Sequence, residues 1–192
     1  DLAFPDFTVD GKTYKLDGNN YSIYIESNDR NVRKEAFLDL YGVYKQYKNV
    51  FANLLNSNIK EETSLAKIRG YESAIHESMY RDELDISIHD NLVNTIRKRM
   101  DVLHHYYELK KRVLKLDELH LYDVYANMIS DDEFKYPFED AKNVVMKALS
   151  VFGEDYVNTL KNGLADRWID VYPNKGKRTG GYSGGSYDTN PY

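Results

Sequence analysis

Apolar residues recur at three- and four-residue spacing between residues 30 and 115. This period matches one face of an α-helix and therefore predicts a mainly α protein. The first stripe lies in residues 29–58, with Asp29 as the expected N-cap and Asn56-Ser57-Asn58 as the expected stop. Its members are Phe37, Leu40, Tyr41, Tyr44, Tyr47, Phe51, Leu54 and Leu55. Since an amphipathic helix is stabilised by covering its apolar face, we expect this stripe to be buried.

Further helices follow the first one. Residues 61–81 and 88–115 carry two more apolar stripes, and the short links between the three stretches predict an antiparallel helical array. A shorter helix is expected over residues 118–128. The next helix opens at Pro137, which suits a first helical turn, and ends at Gly153. Residues 154–168 give one more helical stretch.

Both ends of the chain depart from the helical period. Near the N-terminus, apolar and polar residues alternate around Asp10-Gly11, which predicts a short hairpin. One face of this hairpin should carry Phe7, Val9, Tyr14 and Leu16. We divide the chain into an entry segment (1–26), a helical scaffold (27–165) and a Gly/Tyr-rich segment (166–192).

The Gly/Tyr-rich segment has two glycine pairs that alternate with Tyr182 and Tyr187. Regular tyrosines between glycines favour a strand-and-turn region, whereas a plain Gly/Ser composition would indicate a disordered linker. Glycine lets another backbone approach closely, so this segment could bind a partner by strand addition. Alone, we expect it to be poorly ordered or paired with another copy, which would make self-association possible.

The overall composition excludes several classes of protein. With no cysteine, the chain has no disulfide, no Cys-ligated metal and no thiolate nucleophile, which is compatible with a cytoplasmic location. No stretch approaches the roughly 20 apolar residues of a membrane span. The net charge of −5 and the mixed charges argue against nucleic acid as a partner, because phosphate binding needs a basic face.

Histidine-containing motifs come close to a metal site but do not complete one. Residues 76–80 read HESMY, whereas a zinc-binding helix needs H-E-x-x-H, so Tyr80 stands where the second histidine ligand belongs. His104 and Glu108 lie one helical turn apart but lack an identifiable third ligand. We therefore predict no metal ligand and no catalytic residue in this chain.

Three sequence blocks carry a family resemblance. Residues 28–37 read NDRNVRKEAF, residues 106–125 read YYELKKRVLKLDELHLYDVY, and residues 167–192 read RWIDVYPNKGKRTGGYSGGSYDTNPY. These blocks resemble oligoendopeptidase F, a family of thimet-oligopeptidase-like zinc metallopeptidases. The resemblance runs through essentially the whole chain.

The resemblance implies a function and a place within it. The family is mostly helical, has a deep cleft and hydrolyses short peptides, using zinc held by an H-E-x-x-H helix and a following glutamate. In the family pattern that helix comes shortly after the residues matching Asn190 to Tyr192, so the chain is expected to be an inactive fragment of a zincin-like fold without bound zinc. Four residues are then expected to border the peptide cleft: Tyr182, Ser183, Gly184 and Tyr187. The alternative function is a non-enzymatic helical module that binds a protein or peptide through its Tyr/Gly-rich tail.

Overall fold

The computed structural model describes residues 2–129, 136–172, 174, 177 and 180–190. These residues form two compact units, Asp1–Met128 and Ile129–Tyr192. The predicted mainly α class with a small N-terminal hairpin is confirmed. The functional division into 1–26, 27–165 and 166–192 stays a prediction.

The first unit begins with the predicted hairpin. Strand β1 (Phe7–Val9) pairs antiparallel with β2 (Lys12–Tyr14), and Phe7 lies opposite Tyr14. Asp10 and Gly11 form the connecting turn with φ values of 49° and 79°, as a type I′ turn requires. The predicted common face is confirmed, because Phe7, Val9 and Leu16 are buried in one cluster with Tyr14 against it.

Two helices complete the core beside this hairpin. Helix α1 (Tyr21–Ile25) is short and was not predicted, whereas α2 (Arg30–Gln46) begins at the predicted N-cap. The Asp29 carboxylate accepts a hydrogen bond of 2.8 Å from the backbone N–H of Asn31. Helix α2 contributes Val32, Ala36 and Leu40, at four-residue spacing, to the cluster formed by the hairpin.

The following helices differ from the predicted boundaries. Helix α3 (Lys48–Ile68) begins after an interruption at Tyr47 and continues through Asn56-Ser57-Asn58, so the predicted stop is wrong. None of these three residues adopts the positive φ that commonly ends a helix, and the helical backbone continues through them. The next break falls at Gly70 (φ +82°), where Tyr71 N–H donates to Ala66 O over 2.9 Å and closes the helix end.

The remaining helices of this unit are α4 (Ala74–Arg81), α5 (Ile86–Lys98) and α6 (Met100–Val113). The single predicted helices over 61–81 and 88–115 are therefore each divided, at Arg69–Gly70 and at Arg99. The predicted helix over 118–128 is only a 3₁₀ turn, Leu121–Asp123. There the Asp123 carboxylate accepts the His120 N–H over 3.0 Å, which holds a tight turn.

The prediction that the apolar stripes are buried is wrong for most of their length. Leu40 is buried, but Tyr41, Phe51, Leu54 and Leu92 are exposed. The physical reason is that α3 packs against α2 and α4, which adjoin it in sequence, whereas its middle, residues 49–59, is exposed in the described part of the chain.

The second unit contains α7 (Phe138–Ala148), a 3₁₀ turn at Leu149–Phe152 and α8 (Glu154–Ala165). Pro137 stands at the N-cap of α7, and Gly153 separates the 3₁₀ turn from α8 with φ +94°, as predicted. After α8, Arg167 adopts φ +59° and directs Trp168 back over Gly163.

The described residues between 166 and 190 form no strand, although the sequence predicts one. A strand needs a neighbouring backbone to pair with, and the paired strands of the described residues are β1 and β2. Ser186 and Thr189 instead close a turn, with Thr189 N–H donating to Ser186 O over 3.1 Å. Within the described ranges, no helix combines the length and apolarity that crossing a membrane demands.

Candidate functional site

A buried charge cluster joins the start of α2 to the 3₁₀ turn. Asp123 is 0% exposed and receives hydrogen bonds from two arginines of α2. Arg30 donates through Nε (3.1 Å) and Nη2 (2.9 Å), and Arg33 donates through Nη2 (2.8 Å). Three-residue spacing places both guanidinium groups on one side of the helix, so they converge on a single carboxylate.

Further contacts fix both arginines. Arg33 donates through Nη1 to the backbone oxygen of Ser27 over 2.7 Å, and it is itself buried. Arg30 donates to Glu118 O over 2.9 Å and lies 5.4 Å from the centre of the Tyr122 ring. The guanidinium groups therefore hold the loop before α2 and the connector after α6 in one arrangement.

Electrostatics keep the Asp123 carboxylate ionised. Burial acts to raise the pKa of Asp123, but the hydrogen bonds from Arg30, Arg33 and the His120 N–H outweigh it and lower the pKa. The hydrogen bond to Asp123 raises the pKa of Arg30. Four donors on two oxygens leave this carboxylate suited to holding structure rather than to transferring protons.

Lys110 adds α6 to the same cluster. It is 4% exposed, and its Nζ donates to Val124 O over 2.6 Å. Burial, together with the positive charge of Arg33, lowers the pKa of Lys110, while Asp123 opposes the shift. The cluster thus ties α2, α6 and the connector, and its members lie within two of the sequence blocks that carry the family resemblance.

The four residues predicted to border a peptide cleft lie in the second unit. Tyr182 and Tyr187 are 86% and 94% exposed, Ser183 is exposed and Gly184 is half-buried. Tyr182, Ser183 and Gly184 precede the turn closed by Ser186 and Thr189, and Tyr187 lies within that turn. Pro191 and Tyr192, which the sequence places next to them, lie outside the described residues.

The HESMY motif occupies α4 without forming a metal site. His76 Nδ1 lies 2.8 Å from the Ser73 hydroxyl, whereas Glu77 is buried and forms an ion pair with Arg69. The two side chains therefore engage different partners. Across residues 2–129 and the described positions after them, no three His, Cys, Asp or Glu side chains come together as a metal-binding group.

Shallow grooves lie on the described surface of the first unit, and two of them bear on the predicted residues. One, of about 750 Å³, is bordered by Arg69, Glu77 and Tyr80. The other, of about 470 Å³, is bordered by His104, Glu108 and His120. The second groove also contains His120 beside His104 and Glu108, the pair for which the sequence offers no third ligand, but these three side chains do not form a metal-ligand set.

Comparison with known proteins identifies the relatives of this chain. Residues 23–192 match the model of peptidase family M3. Oligopeptidase PepF of Bacillus subtilis (strain 168) is 42% identical over 193 residues, which cover 100% of this chain and 29% of that protein. An oligoendopeptidase F homolog of Borreliella burgdorferi is 38% identical, with coverage of 93% and 30%.

A solved structure shows the same likeness in three dimensions. The crystal structure of oligoendopeptidase-F from Enterococcus faecium superposes with a TM-score of 0.66 at 36% identity, covering 85% of this chain and 31% of that one. The resemblance to oligoendopeptidase F is confirmed. The chain spans about 30% of the length of the curated relatives it matches.

Proposed function

Because the chain belongs to peptidase family M3, we propose that it forms part of a metalloendopeptidase that hydrolyses peptide bonds in short oligopeptides. The main support is the 42% identity to an oligopeptidase over the whole chain. The match includes the helices and the Gly/Tyr-rich segment, so the alternative of an unrelated helical binding module is not favoured.

In this proposal the chain supplies framework and one border of the peptide cleft. The cluster around Asp123 holds the helical scaffold, and residues 182–187 meet the substrate. The exposure of Tyr182 and Tyr187 supports this role, because a tyrosine ring offers an apolar face and a polar tip to a peptide. Gly184, without a side chain, would let the substrate backbone approach.

The residues present do not fit a zinc site, since the described part of the chain brings together no suitable ligand set. We therefore assign zinc to the H-E-x-x-H helix and glutamate expected elsewhere in the parent polypeptide. The proposal also places the parent in the cytoplasm, with no nucleic-acid partner. The proposal also includes self-association of the chain through residues 166–192.

Peptide hydrolysis by the full-length parent tests this function. We expect the parent to cleave internally quenched short peptides, to lose activity with a chelator and to regain it with zinc. The 192-residue chain alone should bind no stoichiometric zinc and show no turnover. A parent that cleaves no peptide would refute the proposed function, and turnover by the chain alone would refute the assignment of zinc elsewhere.

Replacing Tyr187 in the parent tests the cleft border. Tyr187→Ala should lower kcat/KM for short peptides about tenfold, because a lost aromatic contact of about 1.4 kcal/mol corresponds to that factor. Tyr156→Ala, which removes another exposed tyrosine of the same unit, is the matched control and should leave kcat/KM unchanged. Equal effects of the two substitutions would contradict a substrate contact at Tyr187.

A further inference from the structure

The middle of α3 lacks charge on every side. No charged residue lies between Lys48 and Lys60, although 30% of the chain is charged. All residues from 49 to 59 are nevertheless exposed in this structure. The outer face of a helix in water normally carries charged or polar side chains, and here a complete lack of charge is combined with exposed apolar side chains, which is the composition of an enclosed helix.

The two faces of this segment differ in chemistry. One carries apolar side chains at three- and four-residue spacing, among which Leu54 and Leu55 are 62% and 61% exposed. The opposite face carries the amides of Asn49, Asn53 and Asn56, spaced four and three residues apart, and Asn58 places one more amide within the apolar face. Amide groups both donate and accept hydrogen bonds, so they suit contact with polypeptide backbone or other uncharged polar groups.

We propose that residues 49–59 are enclosed on both faces by uncharged polypeptide surface from parts of the parent that lie outside this chain. This inference depends on the proposed function, which makes the chain one part of a longer peptidase. The relatives are long enough to supply such a surface, since this chain covers only 29% of the Bacillus subtilis protein and 31% of the Enterococcus faecium structure.

The chemistry of the segment distinguishes this occupant from others. Nucleic acid and anionic lipid are recognised through cationic side chains, and residues 49–59 contain none. A second copy docked on the apolar stripe would cover one face and leave the Asn face in water. Enclosure by the parent accounts for both faces.

Hydrogen–deuterium exchange compares the segment in the full-length parent and in the 192-residue chain. We expect amides 49–59 to exchange at least about a hundredfold more slowly in the parent, because an uncovered helix opens readily. Residues 32–40, which include the buried Val32, Ala36 and Leu40, are the internal control and should be protected in both proteins.

Three other exchange results would overturn the inference. Equal exchange at 49–59 in both proteins would show that the segment stays uncovered. Protection in the chain alone that increases with protein concentration would identify a second copy, and protection only after peptide addition would identify the substrate. Exchange does not depend on turnover, so an inactive parent with a protected α3 would refute the proposed function while supporting enclosure.

Discussion

Replacing Asp123 with Asn is expected to lower the free energy of unfolding of the chain by about 3–5 kcal/mol. Asp123 is fully buried and is the carboxylate partner of both Arg30 and Arg33. Removing its charge leaves the Arg33 guanidinium buried without an anion, and loss of one partner is the costly way to disrupt a buried ion pair. Urea unfolding followed by far-UV circular dichroism measures the change.

The pH dependence of this loss tests its electrostatic origin. The pKa of Asp123 is lowered in the folded chain, so its stabilising contribution is present above the ordinary Asp pKa of about 3.9. It is lost as the pH falls through the lower, folded value. The difference in free energy of unfolding between the unsubstituted chain and the Asp123→Asn variant should therefore be constant near neutral pH and decrease below about pH 4.

Asp117→Asn is the matched control, because it makes the same chemical change in the same connector at an exposed position. We expect it to alter the free energy of unfolding by no more than about 0.5 kcal/mol. A similar loss for both substitutions, or a loss at Asp123 that does not change in acid, would rule out the buried ion cluster as its cause.

Local sequence signals predicted the hairpin and the longer helices, but they did not predict all of the helix boundaries. The apolar period of α2 and α3 depends on neighbours three and four residues away, so it was readable without the fold. The break at Gly70 was missed although it has a local cause, since glycine adopts the positive φ of a helix end at little cost. The interruption at Tyr47 has no such residue and was missed.

Burial could not be predicted in the same way. The stripe containing Phe51 and Leu54 indicates that something covers it, but the period does not say what. The expectation that neighbouring helices of this chain provide the cover was wrong. Burial depends on every element that packs against the helix, and that information lies outside the helix itself.

The charge cluster was missed because its members are far apart in sequence. Arg30 and Asp123 are separated by 93 positions, and the local period had placed Asp123 within a short helix. A usable signal was nevertheless present. Arg30, Arg33, Lys110 and Asp123 all lie in the two sequence blocks, 28–37 and 106–125, that carried the family resemblance.

The Gly/Tyr-rich segment shows a different limit. Alternating tyrosines and glycines describe a chain that can pair as a strand, but pairing requires a second backbone that local residues do not specify. Tyr182 and Tyr187 are exposed in this structure, and their place beside a peptide substrate stays a prediction.

Gly163→Ala should destabilise the second unit by about 1–3 kcal/mol through overpacking. A Cβ at position 163 would overlap Cε3 of the Trp168 ring and lie 2.7 Å from its Cδ2. The ring cannot move away freely, because the backbone N–H of Trp168 donates to Gly163 O over 3.0 Å and holds the backbone of residue 168 against the helix end. Trp168 is the single tryptophan of the chain, so its fluorescence reports both displacement of the ring and the unfolding midpoint.

Gly42→Ala provides a control in which the same substitution should have the opposite sign. Gly42 also lies inside a helix, α2, but a Cβ there would meet no atom within 4 Å. Alanine is favoured over glycine in a helix interior, so Gly42→Ala should stabilise the chain by about 0.5–1 kcal/mol. If Gly163→Ala were stabilising too, helix propensity would outweigh the contact with Trp168, and the indole would not restrict this position.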